Sequence, residues 1–330
     1  MPKKDRTLAI LDVGHGNCAV LSDSRGVVVI DSGPGNALLE YLREKKIRTV
    51  DVLLLSHADK DHIGGVAGLL SAKTVRISRV CLNCDSSKGS KIWDDLVYEL
   101  DQADNRKELV FTPTLVHDES GTYDQGEVRV QVLAPSKYLA GKGAGGTDRA
   151  GRTITTNSLS AVIRLVQHGK SIAVFPGDLD EIALDDMISH RVDAKAPILV
   201  FPHHGGKSGS GSLERFVEKL CKAVQPLAVV FSIARGRAKH PLPEVLALLR
   251  KYAKVCRIAC TQLSEHCATS TPSADPKHLL DVFARGRETR QCCAGTLVVD
   301  LNRAESLFPA DPDHQAFIAA HAATALCRGG

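Results

Sequence analysis

Apolar positions along the chain follow two rhythms. Ten short runs, LAILDV, GVVVID, VDVLLLS, VRVQVLA, LSAVIRLV, SIAVFPG, APILVFP, LAVVFSIA, VCRIAC and GTLVVDL, are rich in β-branched residues and bounded by turn formers, which predicts strands. Between many of them, NALLEYLREKK, DEIALDDMISHR, SLERFVEKLCKA and LPEVLALLRKYAK place apolar residues three and four apart, the spacing of a helix with one buried face. A late stretch, HQAFIAAHAATAL, predicts a terminal helix. Strands alternating with amphipathic helices predict a layered α/β protein, its sheets covered by helices. The sequence has no evident internal repeat or linker. AGKGAGGTDRAG (140–151) predicts a loop inside the domain rather than a boundary, so residues 1–330 are expected to form one domain.

Several predicted strands run straight into charged and imidazole side chains. In LLLSHADKDHIGG (53–65), six consecutive positions hold His57, Asp59, Asp61 and His62, all groups that bind divalent metals. Two glycines then allow a sharp turn into a helical pattern, GGVAGLLSAK. The same arrangement recurs at AVFPGD with Asp178, at ILVFPHHGG with His203 and His204, and at AVVFSIARGRAKHP with His240. Strand ends that share one edge of a sheet bring such residues into one cleft. Other motifs fail. Gly141, Gly143 and Gly146 have dinucleotide-fingerprint spacing but no surrounding βαβ unit, and two GKS triplets have Arg164 and Phe201 where a phosphate loop needs glycine.

Composition narrows the field little. A net charge of +4 from 42 basic and 38 acidic residues neither supports nor excludes a nucleic-acid substrate, because an electrostatic footprint depends on clustering. The opening MPKKDRTLAI lacks the apolar stretch of a signal peptide, and no run approaches the roughly 20 apolar residues that cross a bilayer. The expectation is a soluble, cytoplasmic protein without membrane association. Its ten cysteines are then thiols or metal ligands rather than a disulfide framework. Cys81 and Cys84 form a lone CxxC. Cys260, Cys267, Cys292 and Cys293 are candidates for a structural zinc site in a Cys-rich C-terminal extension from about residue 255, with buried thiols as the alternative.

SHADKDHIGG resembles the metal-binding motif of the metallo-β-lactamase fold in its HxDxDH form. LDVGHGNCAVL and VVVIDSGPG, followed by TNSLSAVIRL, FPGDLDE, FPHHGGKSGS and KHP, resemble in the same order the blocks of the hydrolase domain of the ComEC/Rec2 DNA-uptake proteins. That resemblance implies an αββα four-layer sandwich with two divalent ions, zinc or manganese with magnesium as a further option, at one edge of the sheets. His57 and Asp59 would hold one ion, Asp61 and His62 the other, with Asp178 bridging and His203 completing the second site; His204 is its rival. Asp31 matches the aspartate that orders the metal loop, and Asn157 and Ser160 match an NxxS block. His15 departs from the family's usual glutamine and Asn17 from its usual aspartate, changes that bear on substrate identity.

Asp59 stands where most enzymes of this fold have the second His of HxHxDH. Three aspartates make the site oxygen-rich and move metal preference from strict zinc towards manganese. Two such ions about 3.5–4 Å apart suit phosphodiester hydrolysis by a bridging hydroxide. Asp61 would orient that hydroxide, and His240 or His15 would protonate the leaving group or bind phosphate. The expected function is a metal-dependent phosphodiesterase or nuclease acting on nucleic acid or nucleotides. The alternatives are a lactone or acyl hydrolase of the same fold, and an accessory protein that docks a partner in a multi-component bacterial antiviral defence system.

Overall fold

The computed structural model describes residues 6–209, 211–273, 276–303, 311–322 and 324–327. Its strands are β1 (Thr7–Ile10), β2 (Ala19–Ser22), β3 (Val27–Ile30), β4 (Thr49–Val50), β5 (Val52–Leu54), β6 (Arg76–Ile77), β7 (Arg79–Cys81), β8 (Val110–Thr112), β9 (Val128–Ala134), β10 (Val162–Gln167), β11 (Lys170–Phe175), β12 (Ile198–Val200), β13 (Ala228–Phe231), β14 (Arg257–Cys260) and β15 (Leu297–Asp300). The helices are α1 (Ala37–Glu44), α2 (Lys60–Ile63), α3 (Val66–Ala72), α4 (Lys91–Asn105), α5 (Lys137–Lys142), α6 (Glu181–Ser189), α7 (Leu213–Val224), α8 (Pro243–Tyr252) and α9 (Pro312–His321).

Two sheets carry the molecule. One has seven strands in the order β15-β1-β2-β3-β5-β7-β8, the other six in the order β14-β13-β12-β11-β10-β9. Alternate residues of each strand face opposite ways, and here both faces are apolar. Leu8, Ile10, Val28 and Ile30 of the first sheet meet Val130, Ile163, Val200 and Val230 of the second in one buried layer. The intervening residues face outward under helices. Ala9, Val20, Val29 and Leu53 lie beneath Leu38 and Leu42 of α1, Leu69 of α3 and Trp93 and Leu96 of α4. On the other side Leu199, Phe201, Val229 and Phe231 lie beneath α6, α7 and α8. The architecture is the expected αββα sandwich.

The clearest helix is α7. Leu213, Phe216, Val217, Leu220, Cys221 and Val224 form one buried stripe, and the Ser212 side chain caps its first turn by accepting from the Arg215 amide at 3.3 Å. All ten predicted strands and all the predicted helices form. The sequence reading omits α2, α4, α5 and the short strands β2, β4, β6, β7 and β8. The expected loop at 140–151 begins instead as the last turn of α5, because the Ser136 side chain accepts from the Leu139 amide and starts a helix there. Residues beyond 255 supply β14 and β15, one to each sheet.

Topology decides where chemistry can gather. From β3 to β8 and from β11 to β14 neighbouring strands within each sheet run parallel, so the loops leaving β5, β11, β12 and β13 emerge at common sheet edges. Among the described residues no helix is long and apolar enough to cross a membrane.

Candidate metal centre

The motif loop begins where β5 ends. His57 follows directly, and Asp59 stands at the N-cap of α2 with extended backbone but no side-chain capping bond, which leaves its carboxylate for the cleft. Asp61 and His62 lie within the single turn of α2, held by bonds from the His62 and Ile63 amides to the Asp59 carbonyl at 2.9 and 3.0 Å. The two glycines that follow are a packing requirement. A Cβ on Gly64 would stand 2.5 Å from the Lys60 carbonyl oxygen, and one on Gly65 2.7 Å from that of Ser32. Only bare backbone passes there.

Two groups of ligand-type atoms assemble. His57, His62 and Asp178 form one, and His15, Asp61 and His204 the other. Asp178 divides its carboxylate: Oδ1 lies 3.5 Å from His62 Nε2, while Oδ2 lies 3.8 Å from His57 Nε2 and 3.6 Å from His203 Nδ1. Asp59 Oδ2 is 3.7 Å from His57 Nε2. Asp61 Oδ2 is 3.0 Å from His204 Nε2, 3.8 Å from His15 Nε2 and 3.9 Å from His62 Nε2.

Divalent ions fit these residues. His57 Nε2 and His62 Nε2 are buried without a hydrogen-bond partner, a cost of about 1–3 kcal/mol each if nothing else satisfies them. Most of the separations exceed hydrogen-bond length, and two ligands each about 2.1 Å from a shared ion stand roughly 3–4 Å apart. The remaining ring nitrogens are held from behind, as metal-binding imidazoles require. His62 Nδ1 meets Asp31 Oδ2 at 2.8 Å, His57 Nδ1 meets Ser56 Oγ at 3.0 Å, His204 Nδ1 meets the Ser232 carbonyl at 2.7 Å and His203 Nε2 the Leu179 carbonyl at 3.1 Å. Asp31 also accepts from the Ser56 amide at 2.7 Å and its hydroxyl at 2.9 Å. Ser160 Oγ accepts from the Asp178 amide at 3.0 Å.

Charge follows the same logic. Burial pushes the Asp178 carboxyl up, but the imidazoles of His62, His203 and His204 outweigh it and hold its pKa well below the usual range. Asp61 behaves alike, with burial overcome by His204 and His62. His62 shows the converse: burial opposes its charge, yet Asp31 and Asp178 hold its pKa well above the ordinary value. On the outer side, burial and the neighbouring His204 bring His15 down to about 4. The cluster thus favours ionised carboxylates with positive charge among them.

The geometry places each expected residue. His57, Asp59, Asp61, His62, Asp178, His203, His204 and His15 converge, and His240 borders them, its ring 6.2 Å from that of His15. His204, rather than His203, stands beside Asp61, and His203 turns to the His57 side of Asp178. Both residues have positive φ, 51° and 54°, in the turn Pro202–Gly205. That conformation fans their rings apart and has no clear sequence signal. Asn157 lies at the rim, in a cleft it shares with Asp59. Lys88, whose ammonium contacts Asp59 Oδ1, is absent from the sequence reading because its loop shows only turn chemistry.

The four candidate zinc cysteines do not come together. Cys260, Cys267 and Cys293 lie in the apolar layer behind the second sheet. Cys292 has a different neighbour, its thiol lying 3.4 Å from Asp12 Oδ2. Among the described residues only the two imidazole–carboxylate groups place three ligand atoms within 4.8 Å of one another.

Residues 11–221 match the metallo-β-lactamase superfamily. The chain belongs to that superfamily of metallo-hydrolases. Its fold implies divalent metal, typically zinc, and a His/Asp cluster that could hold such ions is present. The chain is 26% identical over 268 residues to ComE operon protein 3 of Bacillus subtilis, covering 74% of this chain and 30% of the relative. It is 26% identical over 251 residues to Recombination protein 2 of Haemophilus influenzae, covering 73% and 26%. The ComEC/Rec2 likeness is therefore borne out, although this chain spans less than a third of either relative. Among solved structures it is similar to the metallo-β-lactamase fold protein YhfI of Bacillus subtilis, with a TM-score of 0.49 and 11% identity, covering 78% of this chain and 97% of that one.

Proposed function

We propose that this metallo-hydrolase is a phosphodiesterase acting on nucleic acid or nucleotides. The observation that carries the reading is the oxygen-rich donor set, with Asp59, Asp61 and Asp178 around the His57–His62 pair and the two oxygens of Asp178 facing different imidazoles of it. His57, Asp59, Asp178 and His203 would hold one ion, and His62, Asp61, His204 and Asp178 a second, with manganese favoured by the carboxylates. Bound there, the ions would supply Lewis acidity towards phosphoryl oxygens and a water acidic enough to act as nucleophile.

The chain's own residues do the rest. Asp61 accepts the hydrogen bond that orients the attacking water. His15 and His240 offer imidazole N–H groups to a phosphoryl oxygen or to the leaving group. Asp31 and Ser56 keep His62 and His57 aimed into the cleft. We read residues 1–330 as one domain that carries this site, with a cysteine-rich extension from about 255.

The test is direct. Purified protein in manganese, zinc or magnesium is assayed against single- and double-stranded DNA, RNA, an aryl phosphodiester, a lactone and a lactam, beside Asp178→Asn. Metal-dependent cleavage of a phosphodiester that the variant lacks is the expected result. Turnover of the lactone alone would replace this reading with the acyl-hydrolase one.

A further inference from the structure

Beside the centre, on its Asp59 side, lies an open cleft of 620 Å³ whose walls include Lys88, Arg152, Thr155, Thr156, Asn157 and Ser208. Its charges are not equivalent. Arg152 is held by Asp148 at 2.9 Å and Asp185 at 2.8 Å. Two of the three acidic residues of the wall are also engaged. Asp180 caps α6 through the Ala183 amide and accepts from the hydroxyls of Thr155 and Ser158, and Glu181 pairs with Arg215 and Lys219. Lys88 differs, because its carboxylate partner, Asp59, is itself turned into the metal cluster.

Lys88 is delivered there by a built turn. The side chain of buried Asp85 accepts from the Ser87 amide at 2.9 Å and its hydroxyl at 2.6 Å, and its other oxygen takes the Thr156 hydroxyl from the facing wall. The loop is thereby fixed to the wall opposite, and the Lys88 side chain is only about a quarter exposed. A dication at Asp59 would draw on the carboxylate charge that now balances Lys88. The ammonium would then face a cation across one shared carboxylate, and an anion entering the cleft relieves that repulsion.

Resting on the phosphodiesterase reading, we propose that Lys88 is the anion-recognising residue of this cleft: it binds a non-bridging phosphate oxygen of the substrate while the hydroxyls and amide of Thr155, Thr156, Asn157 and Ser208 meet the neighbouring polar groups. Lysine serves as a point charge on phosphate without demanding a fixed fork geometry, which suits a cleft open on one side. No bond to the ion is needed for this role.

The experiment uses the full chain loaded with manganese, its ion content checked, as wild type, Lys88→Met and Lys88→Arg. Inorganic phosphate is titrated calorimetrically, and KM and kcat are measured on an aryl phosphodiester. We expect phosphate to bind at least ten-fold more weakly to Lys88→Met, with KM raised by a similar factor and kcat changed less, and Lys88→Arg to recover most of the loss. Equal phosphate affinity in wild type and Lys88→Met, or no phosphate binding by the wild type, overturns the proposal even if the phosphodiester is cleaved. A wild type that binds phosphate through Lys88 yet cleaves no phosphodiester upholds the anion role and removes only the reaction assigned to it.

Discussion

Asp178 is the residue on which both halves of the centre depend, since its two oxygens face different imidazoles. Asp178→Asn removes a negative charge from between the ion positions and leaves an amide that cannot bridge equally, so phosphodiesterase activity is expected to fall by orders of magnitude. Because the side chain stands at the end of β11 rather than in the packed layers, circular dichroism should show the fold intact. Asp59→His restores the common HxHxDH pattern and exchanges an oxygen donor for nitrogen. Activity profiles across metals should then shift from manganese towards zinc, and an unchanged profile would show that Asp59 is no ligand. Asp31→Ala leaves His62 Nδ1 without its carboxylate partner, and metal affinity measured by competition should drop about 10- to 100-fold. These residues were legible from the chain because each follows an apolar run directly. The choice between His203 and His204 was not, since it rests on two left-handed backbone conformations that imidazole side chains do not announce.

Between residue and fold, the short helix α2 works because the chain behind it is bare. Gly65→Ala would set a methyl carbon 2.7 Å from the Ser32 carbonyl and 3.1 Å from that of Gly35, both backbone atoms with little room to yield. The strain should cost about 1–3 kcal/mol in a urea melt and weaken metal binding too, because α2 carries Asp61 and His62. Retained stability together with retained affinity would show that the turn tolerates a side chain. The pattern GG after HxDxDH was readable as a turn, but the packing partners of Gly65, Ser32 and Gly35, lie far earlier in the chain and were not. Element length explains the other gaps. Strands such as β7 and β8 have three residues each, too few to display a period of two. Helix α4 buries only Trp93, Leu96, Leu100 and Ala103 in a polar sequence, a stripe so narrow that it is easily read as loop. The strands that frame the site, by contrast, are buried on both faces and announce themselves as continuous apolar runs.

At the scale of the molecule, the centre joins the two sheets. His57, Asp59, Asp61 and His62 follow β5 of the seven-stranded sheet, whereas Asp178, His203 and His204 follow β11 and β12 of the six-stranded one. Ions held between them would therefore tie the two layers together at this edge, in addition to the apolar contacts of their inner faces and hydrogen bonds such as those from the Ala161 amide to the Ser56 carbonyl and from the Val128 amide to Asp23 Oδ2, each 2.8 Å. Metal that binds the folded chain and not the unfolded one adds stability in proportion to its saturation, about 2.7 kcal/mol at a free concentration 100 times the Kd. For a chain of this size that corresponds to a rise of roughly 4 °C in Tm. Scanning calorimetry on exhaustively chelated protein, repeated after manganese is restored, should recover that difference. Asp178→Asn should show a much smaller increment, because the residue that reaches both halves has lost its charge. If the wild type melts at one temperature with and without metal, ions do not bridge the sheets, whatever they do for catalysis.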